Sequence, residues 1–128
     1  MRRLTLLIGL AVAAAPAAAQ EWRQAREYEV IVSSYGIAPS PIRLTPGKPV
    51  RLRLINQSGQ RHNLAAPRFF AAARLRTRDR QAVAGGRVTV GPGETRELLL
   101  VPAPGRYRVR SSNFLYRLLG MSGEIAVE

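Results

Sequence analysis

Gly105-Arg106-Tyr107-Arg108-Val109-Arg110-Ser111, and after a loop Gly120-Met121-Ser122-Gly123-Glu124-Ile125-Ala126-Val127, is the stretch that decides the fold. In an extended chain successive side chains point to opposite faces. Tyr107, Val109 and Ser111 therefore turn inward while Arg106, Arg108 and Arg110 face outward, which makes Arg106–Ser111 a strand with a core side and a basic side. Glu124–Val127 reads as the strand that closes the domain.

Working outward, the same period recurs between Pro- and Gly-rich turns. Arg87–Val90 and Thr95–Val101 are strands separated by Gly91-Pro92-Gly93, and Pro102-Ala103-Pro104-Gly105 leads into the deciding segment. Val50–Asn56 is the clearest strand: Val50, Leu52 and Leu54 face one way, Arg51 and Arg53 the other. Ile42–Leu44 and Glu27–Ser33 precede it, with Thr45-Pro46-Gly47 as a turn that has Pro and Gly at favoured places. Only Pro67–Arg80 breaks the pattern. Phe69-Phe70-Ala71-Ala72-Ala73 has helical propensity, so this stretch reads as a short helix or helical turn crossing between sheets. The spacing predicts an all-β domain, a two-sheet Greek-key β-sandwich with one short helical segment.

The ends and the composition narrow the setting. Residues 1–19 read as a cleavable secretory signal peptide: Arg2 and Arg3, an apolar run from Leu4 to Ala15, then Ala17-Ala18-Ala19. That run is shorter than the roughly 20 residues a membrane-spanning helix needs. Residues 20–128 are then one small exported domain, expected in the periplasm, with no transmembrane segment. It has no cysteine, so packing alone must hold the core. The formal net charge of +12 becomes +10 once Arg2 and Arg3 leave. Lys48 is the sole lysine, a bias that often reflects codon composition. The charge still favours acidic partners or anionic surfaces, and export argues against nucleic acid.

The C-terminal motifs resemble the ending of plastocyanin-like cupredoxins, in which a Gly-x-Tyr-x-Phe-x-Cys strand leads to a His, then to Gly-Met-x-Gly and a final strand. Asn56 followed by His62-Asn63 resembles that family's first ligand segment, a His-Asn pair after an Asn-containing turn. The likeness spans roughly Tyr28 to Glu128. It implies a cupredoxin fold, copper binding and single-electron transfer. Carried over by position, His62 matches the first imidazole and Met121 the weak axial thioether. Ser111 stands where the thiolate cysteine belongs, and Phe114 where the second His belongs; a shift of register in the longer loop would put Tyr116 or Arg117 there instead.

A blue-copper centre needs two imidazoles and a thiolate in one plane, and a largely protonated serine hydroxyl does not replace the soft donor. The expectation is a degenerate site: no cofactor, or copper held weakly by His62 and Met121. Ser111 and Ser112 prompt the thought of a nucleophile, but no acid lies near His62 in sequence to orient it, so catalysis is not expected. What remains is a non-redox interaction module. In the family the loop before the methionine rims the metal at an apolar docking end. Here Phe114, Leu115, Tyr116 and Leu118 either fill the vacated space or form an apolar patch. Beside it, Arg106, Arg108 and Arg110 are the expected contacts for an acidic periplasmic protein or an anionic membrane surface. Arg74, Arg76, Arg78 and Arg80 read as a solvated basic loop, or as a second docking surface.

Overall fold

The alternation carries through strand by strand. The computed structural model describes residues 9, 21–111, 113 and 122–128. In chain order these form β1 (Arg26–Val32), β2 (Ile37–Ala38), β3 (Ile42–Leu44), β4 (Val50–Asn56), β5 (His62–Ala65), α1 (Pro67–Ala72), β6 (Arg74–Leu75), a 3-10 helix (Thr77–Ala82), β7 (Arg87–Val90), β8 (Thr95–Val101), β9 (Gly105–Ser111) and β10 (Ser122–Val127). The first sheet runs β2-β1-β4-β8-β6 and the second β3-β10-β9-β5-β7. Neighbours are mostly non-consecutive, as Greek-key crossovers require. Both sheets are mixed, because β1 pairs parallel with β4 and β3 parallel with β10.

The core lies between the sheets. Val30, Leu52, Leu54, Leu98 and Leu100 fill it from the first sheet, and Leu64, Val88, Val109 and Ile125 from the second. Removing this apolar surface from water is the main force closing the sandwich. Helix α1 starts on Pro67, whose missing N–H is harmless in a first turn. It inserts Phe69, which packs edge-on against Phe70 and Tyr107 with ring centroids 5.3 Å and 5.5 Å away. Gly85 and Gly86 have positive φ, 59° and 75°, in the tight turn that brings Arg87 back to Ala84. A side chain on Gly86 would also meet Pro67, whose Cα lies 2.5 Å from the position of an added Cβ.

Three details differ from the sequence reading. Ser33 leaves the first strand because its N–H and hydroxyl both turn to the carbonyl of Gly36. The helical stretch ends at Ala72; the chain then adds β6 to the edge of the first sheet and closes with the 3-10 helix. His62 does follow the Asn-containing turn, but it opens a strand that the sequence reading did not mark, β5, opposite Val90.

Candidate functional site

Three strands converge where the sequence places its single histidine. Asn56 ends β4 on the inner face of the first sheet, while β5 and β9 belong to the second sheet. Leu64 stands opposite Ser111, and His62 shares Leu64's face. His62 and Ser111 are thus one diagonal step apart, about 7 Å between backbones. Both are 1% exposed.

Asn56 joins the sheets. Its buried carboxamide Nδ2 lies 2.7, 3.0 and 3.0 Å from the carbonyls of Gln60, Val90 and Gly91, which share its two hydrogens. The first two contacts shape the loop 57–61 and tie β4 to the end of β7. Its Oδ1 accepts the N–H of Ser58 at 2.9 Å, an Asx-turn, and the Ser58 hydroxyl at 2.7 Å. The same hydroxyl lies 2.8 Å from His62 Nε2 and accepts the N–H of Gln60 at 3.2 Å.

A hydroxyl has one proton to give. Ser58 Oγ also lies 3.0 Å from the carbonyl of Gln60, so its proton has more than one acceptor, and the donor and acceptor roles between Ser58 and His62 Nε2 depend on the ring tautomer. Desolvation by burial lowers the His62 pKa below its ordinary 6.5, which agrees with a neutral ring. At the end of β9, Ser111 Oγ accepts the N–H of Asn113 at 3.1 Å.

The positional readings fall into three groups. His62 and Ser111 come together on the inner face. Arg106, Arg108 and Arg110 are exposed on the outer face, opposite Val109 and Ser111. Met121, Phe114, Leu115, Tyr116 and Leu118 lie outside the described residues. Two contributors escaped the sequence reading. Ser58, the partner of His62, has as its only sequence signal the Asn-x-Ser spacing of an Asx-turn. Asp79 is the second.

Asp79 recasts the basic run. It accepts two hydrogen bonds from Arg76, at 2.8 and 3.1 Å, and a third from the backbone N–H of Leu99 at 3.0 Å. Arg76 N–H in turn donates to the Leu99 carbonyl at 2.8 Å. Arg74 pairs with Glu21 and lies over the ring of Trp22. Arg78 and Arg80 remain exposed, so half of the run is a staple holding the crossing segment to β8.

The donors present do not make up a blue-copper centre. The chain has one histidine and no cysteine, and the hydroxyl in the cysteine's register position is already engaged. Among the described residues no cluster of three or more His, Cys, Asp or Glu could hold a metal ion.

Solved structures with the same fold are blue-copper proteins and domains of larger copper enzymes. An auracyanin from Roseiflexus castenholzii superposes with a TM-score of 0.59 at 17% identity, over 81% of this chain and 98% of that one. Auracyanin A of Chloroflexus aurantiacus, a blue copper protein, gives 0.53 at 16%, over 80% and 99%. A multicopper oxidase from Pseudomonas thermotolerans gives 0.61 at 19%, and there this chain spans 29% of the other's length. No protein-family model and no curated protein matches the sequence. The chain is cupredoxin-like in fold and contains no cysteine.

Proposed function

We propose that this is an exported periplasmic protein that uses the cupredoxin scaffold as a non-redox interaction module, its type 1 copper site having degenerated. The observation that carries the reading is the condition of its one imidazole. His62 is buried, that burial lowers its pKa, and its Nε2 lies 2.8 Å from the Ser58 hydroxyl, while Ser111 stands where the sequence resemblance would put the thiolate. Residues 1–19 support export as a signal peptide. Among the described residues no helix is long and apolar enough to cross a membrane. The partner is anionic, an acidic periplasmic protein or an anionic membrane surface. It meets the exposed Arg106, Arg108 and Arg110, with Phe114, Leu115, Tyr116 and Leu118 supplying the apolar contacts.

The likeness to blue-copper proteins favours a second reading, copper handling through His62 and Met121. Titration of the mature protein with Cu(II), followed by visible absorption and equilibrium dialysis, separates the two. The module reading expects no intense visible charge-transfer band, which needs a thiolate, and at most weak binding. Tight stoichiometric binding that His62→Ala abolishes decides for copper handling.

A further inference from the structure

The positive charge is distributed unevenly over the two sheets. On the outer face of the first sheet Arg51 and Arg53 lie among Glu27, Glu29 and Glu97. Arg51 pairs with Glu97 at 3.6 Å, and Arg53 with Glu27 and Glu29 at 3.8 and 3.3 Å. On the outer face of the second sheet, five arginines (Arg43, Arg87, Arg106, Arg108 and Arg110) meet only Glu124 and Glu128. Both acids are taken by Arg106, at 3.0 and 2.8 Å, and their hydrogen bonds raise its pKa further. Arg43, Arg87, Arg108 and Arg110 have no ion pair among the described residues.

Strand register sets where these groups stand. Arg43 and Arg106 flank Ala126, while Arg87 and Arg110 flank Ala65. Each pair spans two strand spacings, about 10 Å, across a residue too small to obstruct it. The two rows lie four residues apart along β9, about 13 Å, and Arg108 stands between them beside Glu124. From β3 to β7 the array covers about 19 Å.

The unpaired guanidiniums are thus spread in two dimensions and do not converge on a cavity. A small anion would engage one or two of them, and an extended acidic peptide one row. A layer of headgroup phosphates meets them all, in the bidentate geometry that arginine offers phosphate. The remaining outward positions are Asn63, Thr89, Ser122 and the two alanines. Among the described residues of this face there is no large apolar side chain to anchor a protein partner in a desolvated pocket.

We propose that this face docks on the anionic phospholipid surface of a membrane, phosphate to guanidinium. The proposal rests on the interaction-module reading and names its partner. The test is co-sedimentation of the mature protein with vesicles of equal parts phosphatidylglycerol and phosphatidylcholine, against phosphatidylcholine alone. Binding is expected only to the first, with release as salt is raised. Each arginine near such a surface contributes about fivefold, so Arg87→Ala with Arg110→Ala should weaken partition about 25-fold.

Arg78→Ala with Arg80→Ala removes the same charge from the 3-10 helix and should change binding by no more than about twofold, since charges beyond a Debye length are screened. Glu124→Gln should tighten it. Equal losses in the two double variants would mean net charge alone is responsible and would overturn the proposal. If vesicles do not bind but polyglutamate does, and Arg87→Ala with Arg110→Ala abolishes that, the partner is an acidic protein and only this inference falls. If neither probe binds, the anionic partner of the module reading falls with it.

Discussion

At one end of the sandwich Asn56, Ser58 and His62 form a neutral polar knot; at the β6 edge of the first sheet Arg76 and Asp79 form a charged one. Both lie largely out of water and each is tied by several hydrogen bonds. They differ in what they join. The neutral knot spans the two sheets, whereas the charged one fastens a crossing segment to the outermost full strand of a single sheet. They differ also in access to water: Asn56 and His62 are each 1% exposed, while the side chain of Arg76 is 21% exposed. A buried polar group that loses its partners has nowhere to turn unless solvent can reach it. The comparison therefore teaches which knot the fold depends on: the neutral one, although it carries no ion pair.

The largest effect expected follows directly. Asn56→Ala removes a buried donor from the carbonyl of Val90 and one of two from that of Gly91, which keeps the N–H of Glu94, and it frees the turn at Ser58. It should lower unfolding stability by about 3 kcal/mol, read from denaturant midpoints at unchanged slope. Asp79→Ala should cost less, about 2 kcal/mol, because the Arg76 guanidinium can swing to water and the N–H of Leu99 is then the main loss. Hydrogen exchange sharpens the contrast. The Asp79 variant should lose protection first at Leu75, Arg76 and Leu99 while β5 and β7 stay protected; the Asn56 variant should lose it in both sheets together. A costlier Asp79→Ala, with loss of protection across β5 and β7, would reverse the ranking.

The two knots were unequally legible in the sequence, for physical reasons. A strand announces itself by period two, so Ile42–Leu44, Val50–Asn56, Arg87–Val90 and Thr95–Val101 were readable to the residue. Arg106, Arg108 and Arg110 were placed on the outer face by the same rule. β2 and β6, two residues each, are too short to show a period. The Asn56–His62 segment was visible through its likeness to a ligand segment, yet the bond that holds the ring comes from Ser58, which no periodicity marks. Asp79 was hidden for another reason. In a run of alternating arginines it reads as one more solvated charge, and only the pairing of β6 with β8 turns it and Arg76 toward Leu99. Function was less legible still, because the absence of cysteine excludes a thiolate ligand and does not say what the scaffold does instead.

The smallest expected effect tests whether the neutral knot is neutral by construction. Burial lowers the His62 pKa from its ordinary 6.5. The unfolded chain then binds more protons than the folded one in the interval between the lowered folded value and 6.5, and stability rises with pH through that interval. The contribution of His62 is complete above pH 6.5 and is lost as the pH falls toward the folded pKa, below which it no longer changes. Chemical denaturation of the wild type across this range should show the decline, and His62→Gln, which has no ring to protonate, should flatten it. Every other titratable group is the same in both proteins, so the difference between the two slopes isolates His62. An equal slope in wild type and His62→Gln would mean that the ring accepts a proton inside the fold as readily as outside it, and the reading of a ring kept neutral by burial would fail.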